Sequence, residues 1–92
     1  MYKTQKSFWD FYYALPKVIQ DRADEKFKLL KDNPQHPSLR LKKVGEDWVV
    51  RINRDYRALA IEENDNIVWY WIGKHDEYMK LIREIEEVYI YK

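Results

Sequence analysis

Trp48-Val49-Val50-Arg51-Ile52-Asn53 alternates, so that Trp48, Val50 and Ile52 share one face of a strand and Val49, Arg51 and Asn53 the other. A tight connection at Arg54-Asp55 leads into a second run, Tyr56 to Glu62, and Asn64-Asp65-Asn66 signals the next turn. Ile67 to Ile72 is apolar on both faces, with Ile67, Trp69 and Trp71 on one and Val68, Tyr70 and Ile72 on the other; this predicts an interior strand that Gly73 ends. Strand runs joined by turns this short read as an antiparallel meander. Upstream, Leu39 to Val44 sets Leu39, Leu41 and Val44 against Arg40 and Lys42, and Gly45-Glu46-Asp47 marks a turn. The sheet is expected to have about four strands.

Outside the sheet the period is helical. Phe8, Phe11, Tyr12 and Leu15 follow Ser7, and Asp10 stands three residues after it, a weak capping box. Pro16 suits the first turn of a second helix that carries Ile19, Ala23, Phe27 and Leu30 on one stripe and stops near Asp32-Asn33, ahead of Pro34. The two helices form a hairpin joined at Leu15-Pro16. A last helix from about Asp76 places Tyr78, Leu81, Ile82 and Ile85 on one side, while Val88 to Lys92 fits either a helix end or an edge strand. The fold class is therefore α+β, with the helices expected on one sheet face and alternating Lys and Arg on the other.

Ninety-two residues allow one domain, 1–92, and a thin core to which fifteen aromatics (four Trp, eight Tyr, three Phe) contribute much of the apolar area. Without cysteine there is no disulfide, thiolate zinc site or thiol nucleophile, and no metal or cofactor is expected. No apolar run approaches the roughly 20 residues of a membrane span. No secretory h-region follows Met1 to Lys6, so a cytoplasmic protein is expected. The net charge of +1 hides an asymmetry: residues 1–57 hold thirteen Lys/Arg against eight Asp/Glu, and residues 58–92 hold four against eight. The basic excess is densest from Arg40 to Arg57, a local surface able to grip phosphates.

Four stretches carry a resemblance: Leu30-Lys31-Asp32-Asn33-Pro34, His36-Pro37-Ser38-Leu39, Trp48 to Arg57, and Ile72-Gly73-Lys74-His75-Asp76-Glu77-Tyr78. Together they resemble the RelE/ParE toxin superfamily, the toxin halves of type II toxin–antitoxin modules, from Phe8 to about Ile82. The resemblance implies a RelE-like fold whose antiparallel sheet cups a site on its open face. In the RelE-, HigB- and YafQ-like branches the toxin is a ribosome-dependent mRNA endonuclease; in the ParE branch it poisons DNA gyrase. The family's leading strand is left short by the segment before Phe8, and +1 is low for a ribosome-binding member.

Cleavage through a 2′-OH needs a base for that hydroxyl, positive charge on the phosphate and a proton for the 5′-oxygen, with no metal. By the resemblance, Arg57 matches the arginine on the scissile phosphate, where a guanidinium stays charged and holds two oxygens at once. Arg51 would be a second phosphate contact; the structural alternative for either is a cross-strand salt bridge with Glu62 or Asp55. His75 follows Gly73-Lys74 where YafQ-like relatives carry a histidine, and an imidazole, with its reference pKa of about 6.5, suits proton transfer at neutral pH. Its duller alternative is capping the last helix, which is also the simpler role for Asp76. His36 resembles a catalytic His-Pro pair or is a loop histidine. Tyr78, three residues after His75, touches phosphate or base, or packs against Leu81 and Ile82. Lys42, Lys43, Arg40 and Arg54 complete the basic set; of the two adjacent lysines, only one points into the cup unless a bulge intervenes. Trp69 and Trp71 are read as core.

The expectation is a metal-independent mRNA interferase, partnered by a cognate antitoxin in a hetero-oligomer and acting on ribosome-bound mRNA. Its rivals are a ParE-like gyrase inhibitor and a catalytically weakened member that keeps only antitoxin binding.

Overall fold

In the computed structural model the side chains of residues 2–82 are described, and the backbone of the last helix is followed to Ile90. Three strands carry the meander: β3 (Asp47–Arg51), β4 (Tyr56–Glu63) and β5 (Asn66–Lys74), which follow β1 (Tyr2–Thr4) and β2 (Lys42–Val44). The helices are α1 (Lys6–Tyr13), α2 (Lys17–Asp32) and α3 (His75–Ile90), and a single 3₁₀ turn spans Pro37–Leu39. The sheet order is β1-β5-β4-β3-β2. The β4–β5 turn is built by Asn64 and Asp65, both at positive φ (51° and 66°), the backbone that a two-residue hairpin loop demands.

Among the described residues the sheet has five strands rather than about four. Tyr2–Thr4 pairs in parallel with Ile67–Trp69, making β5 an interior strand and β1 an edge. Leu39 is not in a strand. It is fully buried in the 3₁₀ turn, and Arg40 after it adopts a left-handed φ of 45°, which redirects the chain into β2. Such a backbone at a non-glycine residue costs roughly 1–2 kcal/mol. Ser7 does not cap α1, which begins at Lys6 after Gln5. Pro16 immediately precedes α2, and its carbonyl accepts from Ile19 N and Gln20 N.

A β-bulge overturns the expected faces of β5. Leu59 pairs with Trp71 but Ala60 pairs with Trp69, so Tyr70 is the extra residue and the side-chain parity flips across it. Trp69 therefore shares a face with Ile72, under α1 and α2, whereas Trp71 lies on the other face with Val49 and Leu59. The carbonyl of Tyr70 accepts a hydrogen bond from Ser7 Oγ at 3.0 Å, which ties α1 to the bulge.

The helices also divide between the faces. Phe8, Tyr12, Ala23 and Leu30 from α1 and α2 cover Val50, Ile52, Ala58, Ala60, Trp69 and Ile72. Helix α3 crosses to the opposite face, where Tyr78 and Ile82 bury Val49, Leu59 and Trp71. The face expected to be open is thus capped along part of its length. Ile85, assigned to the same helical stripe, and residues 91–92 lie outside the described side chains.

Gly73 does not end β5 but lies within it, opposite Arg57. A Cβ there would sit 2.5 Å from Cζ2 of Trp71, whose indole lies over the glycine and is itself buried. Gly73→Ala is expected to destabilise the protein by about 1–3 kcal/mol, the usual cost of overpacking. Thermal or urea unfolding measures it, and a loss below about 0.5 kcal/mol would mean that the ring swings aside freely.

Candidate active site

The end of the sheet where β3 stops and β4 begins gathers most of the candidate residues. Arg51 and Arg57 are direct cross-strand partners. Val50 and Ala58 beside them face α1 and α2, so both arginines share the α3 face with Val49 and Leu59. Directly opposed residues hold their Cβ atoms about 4.5–5.5 Å apart, a destabilising arrangement for like charges. No described carboxylate forms an ion pair with either arginine. The guanidinium of Arg57 is held below its ordinary pKa by partial burial and then by the charge of Arg51, with a further contribution from Arg40. Arg40, in its left-handed turn, is therefore a third member of the cluster.

Arg57 is anchored by the β3–β4 loop. Its Nη1 donates to the carbonyls of Asn53 (2.7 Å), Tyr56 (2.9 Å) and Arg54 (3.3 Å). The loop is folded for this by the side chain of Asn53, whose Oδ1 accepts from Asp55 N at 2.9 Å. These bonds engage one of the three guanidinium nitrogens and orient the whole plane. The salt bridges to Glu62 or Asp55 considered from sequence are not what holds Arg57. Glu62 instead accepts from Trp48 Nε1 (2.8 Å) and Lys43 Nζ (3.5 Å), which keep its carboxyl below the ordinary carboxylate range.

That engagement decides between the two lysines. Lys42 pairs with Val49 and belongs to the arginine face, whereas Lys43 pairs with Trp48 on the other and lies over its ring at 5.6 Å. No bulge intervenes in β2, so Lys43 does not join the arginines.

His75 opens α3. Its backbone N–H donates to Asp55 O at 2.7 Å, locking the start of the helix to the same loop that anchors Arg57. The imidazole is half-buried and packs against the Tyr78 ring, with 5.6 Å between centroids. Tyr78 is 4% exposed, packed among Val49, Leu59, Trp71 and Ile82, and close enough for its phenol to act electrostatically on Arg57. It links the histidine to the arginine pair, from a position with little surface for a substrate. Beside His75 a cleft of about 520 Å³ is lined by Arg54, Asp55, Tyr56, Lys74 and Asp76. Arg54 is exposed at its rim.

His36 lies in the loop before the 3₁₀ turn. Its Nδ1 accepts from Ser38 N (3.2 Å) and contacts Ser38 Oγ (2.9 Å), which assigns the ring proton of the neutral form to Nε2. Sequence reasoning missed Lys26. From α2 its Nζ donates to Ser38 Oγ at 3.0 Å, and burial followed by the charges of Arg22 and Arg51 lowers its pKa. It thus stands beside the His36 loop, near enough to Arg51 for the two charges to interact. One more lysine on a helix gives no local signal of that, because only the docking of α2 brings it there.

Among the described residues no group of three His, Cys, Asp or Glu is placed to hold a metal ion. No described helix is long and apolar enough to cross a membrane. Fold and site define a small α+β protein with a crowded arginine pair at one end of its sheet, ion-paired to no carboxylate among the described residues. The family model of the ParE-like toxin domain matches residues 17–80, and the chain belongs to the RelE/ParE toxin superfamily of toxin–antitoxin modules. Among solved structures it is similar to YafQ from Escherichia coli strain BL21(DE3), at 9% identity and a TM-score of 0.68 over 85% of this chain and 96% of that one. It is also similar to RelE in the RelB–RelE antitoxin–toxin complex of Methanococcus jannaschii (14%, TM-score 0.67, 86% and 96%). A YoeB/ParE toxin from Agrobacterium tumefaciens matches at 13%, with a TM-score of 0.61 over 80% and 96%. A search of curated protein sequences gives no match.

Proposed function

We propose that this chain is a metal-independent endoribonuclease that cuts mRNA on the ribosome and is silenced by a cognate antitoxin. The observation that carries the reading is the opposed pair Arg51 and Arg57, without a carboxylate partner among the described residues. Two like charges held face to face cost stability, and an anion between them repays that cost. A scissile phosphate is such an anion. The 2′-OH attacks phosphorus and loses its proton to solvent water, the arginines stabilise the extra negative charge of the transition state, and protonated His75 gives its proton to the departing 5′-oxygen. The products are a 2′,3′-cyclic phosphate and a 5′-OH. Arg40, Lys42 and Arg54 would track the neighbouring phosphates. Solved RelE relatives in complex with RelB antitoxins support an antitoxin partner here.

Gyrase inhibition in the ParE manner is the second reading. It is favoured by the burial of Tyr78 and by the loop carbonyls that occupy Nη1 of Arg57, both of which reduce what is offered to RNA.

Primer extension on mRNA, with and without ribosomes, separates the two. New 5′ ends that appear only with ribosomes support the nuclease; intact mRNA together with gyrase-dependent DNA breaks supports the rival. Toxin treated with EDTA, freed of the chelator and then added to ribosomes in their own magnesium buffer is expected to cut as before, since arginine and imidazole do the work asked of a metal. Loss of cleavage that returns on adding back a divalent ion would overturn the metal-free mechanism.

A further inference from the structure

On the sheet face opposite the arginines, α1 and α2 stand away from β1 and leave a cavity of about 460 Å³ over Trp69. We infer that this cavity is a binding site for a small aromatic carboxylate.

Its walls are rings. Phe8 meets Trp9 and Phe27 edge-on at 5.1 and 5.5 Å, and Phe27 meets Trp69 edge-on at 5.2 Å. Edge and face positions of this kind suit a further planar ring. The Trp69 indole N–H is buried and has no acceptor among the described residues, whereas buried donors are ordinarily paired. It has no surface open to the cavity, so it senses a bound ring through the indole and not through a hydrogen bond. Lys3, Lys28 and Lys31 stand at the mouth, and none forms an ion pair with a described carboxylate. Asp24 is the single acidic residue of the lining, and its Oδ1 already accepts from Tyr12 O–H at 2.7 Å. Burial and that bond push the Tyr12 phenol up to about 12, so it remains a donor at neutral pH. The lining therefore offers aromatic faces and an excess of positive charge. The volume falls within the range of small-molecule sites and holds one or two fused rings. The inference is independent of the nuclease reading, because no residue of the arginine site lines this cavity.

The test uses the full chain, 15N-labelled, and follows its four tryptophan indole N–H resonances. The protein is titrated with indole-3-acetate and, in parallel, with the uncharged indole-3-acetamide. The expected result is a saturable shift of the Trp69 signal, identified by its loss in Trp69→Phe, with the amide binding about tenfold more weakly than the acid. In Lys28→Gln/Lys31→Gln, whose changes are on exposed positions and leave the core intact, the acid should weaken about tenfold while the amide does not. No saturable shift by roughly 10 mM, which would mean a cavity holding only water, overturns the proposal. So does a shift confined to other tryptophans, or equal binding of acid and amide.

Discussion

Arg51→Gln is expected to abolish growth arrest and ribosome-dependent cleavage while leaving the folded protein as stable as before or more so. The side chain faces Arg57 directly across β3 and β4. Removing it relieves a like-charge contact worth about 0.2–1 kcal/mol, and the gain should shrink as salt rises. The same change removes one of two positive groups on the transition-state phosphate, a loss of about 10²–10³ in single-turnover rate. Opposite signs for stability and activity are what a residue kept for a ligand shows, and a structural residue does not show them. Arg57 is less clean. Arg57→Ala breaks the bonds to Asn53, Arg54 and Tyr56 carbonyls and should cost about 1–3 kcal/mol as well as activity. Arg57→Lys keeps the charge without the planar fork, and is expected to fold yet remain inactive. Thermal unfolding read beside cleavage decides the matter: an Arg51→Gln protein that is destabilised, or that still cuts within a few-fold of the parent, would reassign the pair to structure.

His75→Gln should lower single-turnover cleavage by about 10²–10⁴ with little change in ribosome affinity. The anchor of this residue is its backbone N–H on Asp55 O, which the substitution leaves in place, so α3 still starts where it did. What is lost is the imidazole beside Tyr78 and the cleft. Glutamine keeps hydrogen-bonding capacity but does not exchange a proton at neutral pH. If His36 shares the task, the two single variants will each be severe and the double variant hardly worse, since residues acting as one unit are non-additive. Cleavage within a few-fold of the parent would reduce His75 to the first residue of α3 and move the chemistry toward His36 and Lys42.

Several features were legible one residue at a time. The alternation of Trp48 to Asn53 placed Val50 and Ile52 in one core and Val49 in the other, and Asn64-Asp65 fell at the two positive-φ positions of the hairpin. The family resemblance, joined to the chemistry of arginine and imidazole, nominated residues 51, 57 and 75 for phosphate binding and proton transfer. These are readings of local periodicity and side-chain chemistry, which the chain carries wherever it folds.

Other features depended on which segments meet. Trp69 and Trp71, two residues apart, occupy opposite faces because Ala60 and Leu59 of β4 take them in a shifted register around Tyr70. A period-2 pattern within one strand has no means of announcing a bulge, which is a relation between two strands. The parallel pairing of Tyr2–Thr4 with β5 spans more than sixty residues, and three residues are too few to show a period. Helix α3 was recognisable, but the face it would cover was not, and that face decided that Tyr78 is buried against the sheet, the packing alternative of its two readings. Sequence alone determined the architecture of the meander and the chemical inventory of its basic end. Tertiary structure decided that Arg51 meets Arg57, that Lys43 turns away to Glu62, and that Lys26 arrives from α2, because contacts between distant segments are chosen by the packing of whole faces.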